Sequence, residues 1–237
     1  MIQDNTRSRE DVNGFLCGTP FLTEALGDPV GGGKRIVQLG VLLSGGGRTL
    51  LNILEEIKAG RLAARVAVVI ASRDCKGVER ARAAGMKVEI APYKEMPDVQ
   101  AYSRRIVELL DHARVDLVVQ AGFLSLWQIP PQYEGRVMNI HPALLPRFGG
   151  HGMYGHHVHE AVLAAGCKVS GCTVHFVTNE YDSGPIIVQR CVKVLEGDTP
   201  DDLARRVFEQ ECIAYPEAIS LFAQGRLRIE GNRVWVS

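Results

Sequence analysis

Net charge is the first thing this sequence lacks: 27 lysines and arginines offset 27 aspartates and glutamates. That balance removes the usual electrostatic argument for a nucleic-acid or membrane partner. No apolar run approaches the ~18 residues that a membrane-spanning helix needs. The first residues, Met1 to Asp11, are polar and acidic in part, without the basic-then-apolar order of a signal peptide. None of the six cysteines forms a C-x-x-C pair. In a chain of 237 residues they read as thiols of a reducing compartment rather than as a disulfide framework. No internal repeat or low-complexity tract is evident. What remains is an ordinary globular composition, expected in the cytoplasm as a monomer or homodimer acting on small molecules.

Two regions differ in texture. Residues 1–34 mix polar residues with a short apolar stretch and end in Gly31-Gly32-Gly33, which reads as an appended flexible extension. From Ile36 onward, short β-branched runs alternate with stretches of helical spacing. Ile36 to Leu43, Val66 to Ala71, Val88 to Ala91, Leu117 to Gln120 and Val137 to Ile140 are predicted strands. Thr49 to Ala59, Gly77 to Ala84 and Val99 to His112 are predicted helices. A helix over Val158 to Ala165, strands at Val169 to Phe176 and Ile186 to Val194, a long helix from about Pro200 to Ala223 and a hairpin near Leu227 to Val236 follow. This alternation predicts an α/β fold, a doubly wound, mostly parallel, Rossmann-like sheet with helices on both faces, over residues 35–237. Ligands of such sheets bind at the carboxyl ends of strands, which directs attention to the loops after Leu43, Gln120 and Ile140.

Ser44-Gly45-Gly46-Gly47-Arg48-Thr49 joins the first strand to the first helix. Consecutive glycines and a helix N-terminus suit a phosphate, and the same loop equally serves as a tight turn. A Walker A loop is absent, because Leu42 stands at its first glycine and Arg48 at its lysine. The dinucleotide fingerprint is also incomplete, with Leu50 at its third glycine. A phosphate monoester on a substrate fits better, with Arg48 supplying charge-assisted bonds.

Asn139 and His141 lie two apart on a strand, so their side chains share a face. A carboxamide donor beside a histidine suits an oxyanion developing at a carbonyl carbon, and the histidine can exchange a proton near neutrality. Asp182, in the loop 178–185, is the acid expected to orient His141, on the assumption that the preceding strand runs with the others. The alternative is a turn aspartate before Ser183-Gly184-Pro185. His151, His156, His157 and His159 cluster in sequence, but without paired cysteines or an H-E-x-x-H arrangement they read as a substrate loop rather than a metal site.

These segments in their order resemble the family of phosphoribosylglycinamide formyltransferases, the glycinamide ribonucleotide transformylases of purine synthesis. The likeness runs from about Arg35 to Trp235. It rests on Leu43-Ser44-Gly45-Gly46-Gly47, Ala121-Gly122-Phe123-Leu124, Asn139-Ile140-His141-Pro142-Ala143-Leu144-Leu145-Pro146, Val174-His175-Phe176-Val177 and Asp182-Ser183-Gly184-Pro185. The resemblance implies formyl transfer from 10-formyltetrahydrofolate, as co-substrate and without a metal, to the amine of glycinamide ribonucleotide. It implies catalytic roles for Asn139, His141 and Asp182, and a phosphate site at Gly47, Arg48 and Thr49. Glu211 is implied as a contact of the ribosyl-glycinamide. A folate cleft is implied at Leu124, Ser125, Leu126 and Trp127, with Asn139, Asn179, Glu180 and Tyr181. A cis Leu145–Pro146 bond is implied as well. The chain departs from the pattern at Arg48-Thr49, where many relatives carry Ser-Asn, and near Val99, where an arginine is usual. The stretch from Phe148 to His159 is longer than the common form.

Within the same superfamily, a methionyl-tRNA formyltransferase would carry a further C-terminal domain, and a formyltetrahydrofolate hydrolase a folded domain in front. From other classes, a non-catalytic nucleotide-phosphate module is an alternative, as is a dehydrogenase with Asp74 as its ribose contact, which would leave Asn139, His141 and Asp182 without a purpose.

Overall fold

Residues 35–237 are described by a computed structural model; the extension expected over 1–34 lies outside the described residues. The first apolar run becomes β1 (Val37–Leu43), buried on both faces. Leu39, Val41 and Leu43 enter one core cluster, while Leu42 enters the other. Period-two alternation therefore still operates within a predominantly apolar strand. Gly40 lets a helix approach closely, since a Cβ there would lie 2.5 Å from Leu110 Cδ2.

The chain continues through α1 (Arg48–Lys58), β2 (Ala64–Ala71), α2 (Lys76–Ala83), β3 (Val88–Ile90), α3 (Val99–His112), β4 (Leu117–Gln120) and β5 (Val137–His141). It then forms α4 (His156–Ala164), β6 (Val169–Phe176), β7 (Ile186–Lys193), α5 (Pro200–Ala223) and the hairpin β8 (Leu227–Glu230) with β9 (Arg233–Val236). One sheet results, in the order β3-β2-β1-β4-β5-β6-β7-β9-β8. The five strands from β3 to β5 are mutually parallel, whereas β6 and β7 each run antiparallel to the strand before them. Strand order reverses between β1 and β4, which opens a crevice at their carboxyl ends.

Helices cover both faces, unequally. α1, α2, α4 and α5 pack on one side through Leu50, Ile53, Val78, Ala81, Val162, Leu203 and Val207. α3 covers the other with Tyr102, Ile106 and Leu110, joined by Trp127, Ile129 and Tyr133. No helix among the described residues is long and apolar enough to cross a membrane.

Two local devices fix the helices that border the crevice. α5 starts with a capping box between Thr199 and Asp202, with Pro200 in the first turn, an arrangement worth about 1 kcal/mol. Pro216 lies inside α5 and has no N–H to offer the Cys212 carbonyl. Asn52 Nδ2 of α1 donates to that carbonyl instead, at 3.0 Å. The bond that proline removes from α5 thus becomes a tie between α5 and α1.

Candidate active site

Every residue given a catalytic, phosphate, ribosyl-glycinamide or folate role in the sequence analysis lines one cleft of about 720 Å³ at the carboxyl ends of β1, β4 and β5. Its centre is built on β5 and β6. Met138 and Ile140 face the core with Val174 and Phe176. By alternation Asn139 and His141 face the opposite way, and in antiparallel register their neighbours are His175 and Thr173.

The polarity expected for β6 was wrong. The connection 142–168 begins and ends at the same end of the sheet, so β6 returns antiparallel rather than crossing over. The 177–185 loop therefore starts beside Val137, where Val177 N–H donates to the Val137 carbonyl. β5 is only five residues long, so Asp182 still reaches the site from that side. Its carboxylate lies 3.6 Å from His141 Nδ1 and 3.7 Å from His175 Nε2. Both separations exceed a direct hydrogen bond and suit closure upon protonation or one bridging water. Asp182 holds φ 50, and its Oδ2 accepts from Gly150 N–H at 2.9 Å. Gly149 must be small here, because a Cβ would meet Leu145 Cδ2 at 2.5 Å and Asp182 Cβ at 3.1 Å.

A carbonyl can only accept, and this assigns both imidazoles. His141 Nε2–H donates to the Phe148 carbonyl at 2.8 Å, which leaves Nδ1 facing Asp182. His175 Nδ1–H donates to the Phe176 carbonyl at 2.8 Å, so its Nε2 accepts from Asn139 Nδ2 at 3.3 Å. His175 consequently fixes which end of the Asn139 amide carries the donors, and one N–H of that amide remains for a ligand. His175 stands in the motif Val174-His175-Phe176-Val177, which by itself assigns it no role. The signal was its spacing of two from Thr173 on β6, and it becomes legible only once β5 and β6 are known to pair.

Burial lowers the His141 pKa more than the Asp182 charge raises it. Burial pushes Asp182 up, but His175, His141 and the Gly150 N–H outweigh it and hold the carboxyl below its ordinary value. The resting site pairs a neutral imidazole with an ionised carboxylate. Thr173, fully buried, braces the segment that follows His141. Its hydroxyl donates to the Ala143 carbonyl at 2.7 Å and accepts from Leu145 N–H at 3.0 Å. Gln189 Nε2 completes the brace at the Leu145 carbonyl, 3.0 Å away. The Leu145–Pro146 bond is cis.

On the cleft wall after β1, Gly47 has φ 71 and precedes the first turn of α1, which carries Arg48 and Thr49. The Arg48 guanidinium lies 4.2 Å from the centroid of the Phe208 ring, a cation–π contact that anchors it. Phe208 and Glu211 stand one turn apart on α5, and burial raises Glu211 to about 7 against the partial opposition of Arg48. Phe208 is a second residue that the sequence reading missed.

After β4 and in the 177–185 loop, Leu124, Leu126 and Tyr181 leave apolar surface exposed where they line the cleft, as do Ser125 and Glu180. Ser44 positions this wall, because its hydroxyl accepts from Leu124 N–H at 3.0 Å. Two expectations shift here. Trp127 is 3% exposed and belongs chiefly to the α3 core. Asn179 uses its side chain to hold Ile129, accepting from its N–H at 2.8 Å and donating to its carbonyl at 3.3 Å. Both brace the wall more than they present it.

His156 reaches Asp201 at 3.4 Å and His157 reaches Glu160 at 3.4 Å. His159 is buried against the cleft with Nδ1 unbonded, and burial lowers its pKa to about 4.

Known proteins resemble this chain over most of its length. The profile of a family described as formyl transferase matches residues 35–219. The phosphoribosylglycinamide formyltransferase of Escherichia coli (strain K12) is 38% identical over 199 residues, spanning 83% of this chain and 92% of that protein. The chloroplastic phosphoribosylglycinamide formyltransferase of Arabidopsis thaliana is 39% identical, spanning 82% of this chain and 68% of that protein. The crystal structure of glycinamide ribonucleotide transformylase 1 from Symbiobacterium toebii superposes with a TM-score of 0.79 at 46% identity, over 85% of this chain and 94% of that one. The chain belongs to the formyl transferase family.

Proposed function

We infer that the chain is a phosphoribosylglycinamide formyltransferase, moving a formyl group from 10-formyltetrahydrofolate to the amine of N1-(5-phospho-D-ribosyl)glycinamide in purine biosynthesis. The observation that carries this reading is that one cleft gathers three features. An anion-suited glycine loop, a carbonyl-activating pair and an apolar wall all line it. Together they suit an acceptor bearing a phosphate, a reacting formyl carbon and a flat pterin donor.

The co-substrate supplies the formyl carbon. Gly47, Arg48 and Thr49 hold the acceptor's phosphate, and Glu211 accepts from its ribosyl-glycinamide. Leu124, Ser125, Leu126 and Trp127 form one side of the folate cleft, and Asn179, Glu180 and Tyr181 the other. As the amine adds to the formyl carbon, the carbonyl π pair moves onto oxygen. Asn139 Nδ2–H, oriented by His175, donates to that oxyanion. Neutral His141 accepts the proton shed by the amine at Nδ1, since its Nε2–H is engaged by the Phe148 carbonyl, and the Asp182 carboxylate stabilises the resulting imidazolium. Return of that proton to the folate nitrogen, through water held by Asp182, lets the carbon–nitrogen bond of the donor break. The balance is one formyl group moved and one proton exchanged for it. No metal is assigned a role, and activity is expected to survive chelation.

The same reading takes residues 35–237 as the catalytic domain and 1–34 as an extension. It places the protein in the cytoplasm as a monomer or homodimer, open to test by fractionation and sedimentation. The functional test is tetrahydrofolate release that depends on the acceptor amine, with His141→Ala as control. Release that ignores the acceptor, with formate as product, would instead mark a hydrolase.

A further inference from the structure

The glycine loop is held from behind. All three carbonyls of Ser44, Gly45 and Gly46 accept from the segment that follows β2. Arg73 Nε donates to the Ser44 carbonyl at 2.8 Å, Gly77 N–H to the Gly45 carbonyl at 2.9 Å, and Arg80 Nη1 to the Gly46 carbonyl at 2.5 Å. A trans peptide is planar, with its N–H directed opposite its C=O. Turning three successive carbonyls back toward α2 therefore turns the N–H groups of Gly45, Gly46 and Gly47 the other way, toward the cleft that these residues line.

Left alone, a glycine-rich segment samples many conformations, and a carbonyl swung into the cleft would repel an anion. Gly77 is part of the same fit. A Cβ there would lie 2.7 Å from the Gly45 carbonyl oxygen and 2.9 Å from Leu43 Cδ1, so only glycine lets α2 approach the loop closely enough to donate. The two guanidinium charges also add to a field that favours an anion.

We propose that Arg73 and Arg80 are positioning residues for the phosphate of the acceptor, locking the loop carbonyls away from the cleft so that successive amides face the phosphomonoester. This rests on the reading of residues 47–49 as the phosphate site. Neither arginine touches the substrate in this scheme; both act through the loop, and their effect is confined to phosphate recognition.

The test compares Arg73→Met, Arg80→Met and Arg80→Lys with the wild-type enzyme. It uses the phosphorylated acceptor, its dephosphorylated riboside and inorganic phosphate as a competitive probe. The expected result for each methionine variant is a roughly tenfold rise in KM for the phosphorylated acceptor and in the inhibition constant of phosphate, the scale of one hydrogen-bonding group. The kcat should change far less, and KM for the folate should not move. Turnover of the riboside should match the wild type, and Arg80→Lys should recover part of the loss. Equal losses on riboside and phosphorylated acceptor would overturn the proposal, since they would mark a general structural role. If phosphate competes in the wild type and Arg48→Ala raises KM while the Arg73 and Arg80 variants do not, only this proposal fails. If phosphate does not compete at all, the phosphate-site reading falls and takes the proposal with it.

Discussion

Replacing Asp182 with asparagine separates the charge of this residue from its shape. The backbone at φ 50 is one that asparagine adopts as readily as aspartate, and an amide oxygen can still accept from Gly150. What disappears is a negative charge 3.6 Å from His141 Nδ1. At an effective dielectric of about 20, that separation is worth about 4.6 kcal/mol to an imidazolium. The Asp182 side chain is only 14% exposed, so solvent screens this attraction weakly, while the retained amide dipole recovers part of it. The expected result is a fall in kcat of about 100- to 1,000-fold, with 4.6 kcal/mol as the ceiling. Acceptor binding should stay close to wild type. The pH dependence carries a sign as well. Burial already lowers the His141 pKa and Asp182 partly restores it, so removing the anion lowers it further and moves the acid limb of the rate profile to lower pH. Tetrahydrofolate release at saturating substrates across about pH 5–9 reads both effects, and calorimetry reads binding. A kcat within about fivefold of wild type, with the acid limb in place, would remove Asp182 as the counter-charge of His141.

Three further substitutions probe the surrounding structure. His175→Leu frees the Asn139 amide to rotate and is expected to lower kcat by about 10- to 100-fold, the scale of a misaimed oxyanion donor; an unchanged kcat would show that Asn139 needs no such anchor. Glu211→Gln tests a raised carboxyl. Its pKa climbs from 4.5 to about 7 on folding, so the stability it contributes is present below 4.5 and lost as pH rises through about 7. The variant should therefore melt higher than wild type at pH 8 by roughly 3–6 °C and show no gain at pH 4; an equal shift at both pH values would contradict this linkage. Asn52→Leu leaves the Cys212 carbonyl without a donor beside Pro216 and is expected to cost about 1–3 kcal/mol in denaturant titration; a loss below about 0.5 kcal/mol would mean that water replaces the amide.

The parts of this molecule that the sequence made legible are those whose geometry is local. β1 was readable because Ile36 to Leu43 is mostly apolar and broken only by Gln38 and Gly40, as suits a strand largely buried on both faces. α5 was readable over its full length from Thr199-Pro200 at its start and helical spacing to Ala223. The shared face of Asn139 and His141 follows from the period of a strand and needs no knowledge of its neighbours. Trp127 shows the limit of this reasoning, because the ordered motifs implied a cleft wall, which it lines, but not its packing in the α3 core.

Pairing between strands is where sequence reasoning stops. The polarity of β6 depends on whether the connection 142–168 crosses the sheet or returns on the same end, and neither length nor composition decides that. His175 hangs on the same question. Placed opposite Asn139 in antiparallel register, it becomes the group that aims the amide. In a parallel arrangement, another residue would sit there. The same holds for Arg73 and Arg80, which look like solvated surface charges on a short loop and a short helix until β2 is known to lie beside β1. The residues that aim the functional groups therefore sit on neighbouring strands or their loops, while the functional groups sit at strand ends. A motif read along one segment recovers the second class and misses the first, and for this cleft the first class decides whether the amide and the glycine loop present donors or acceptors to the substrate.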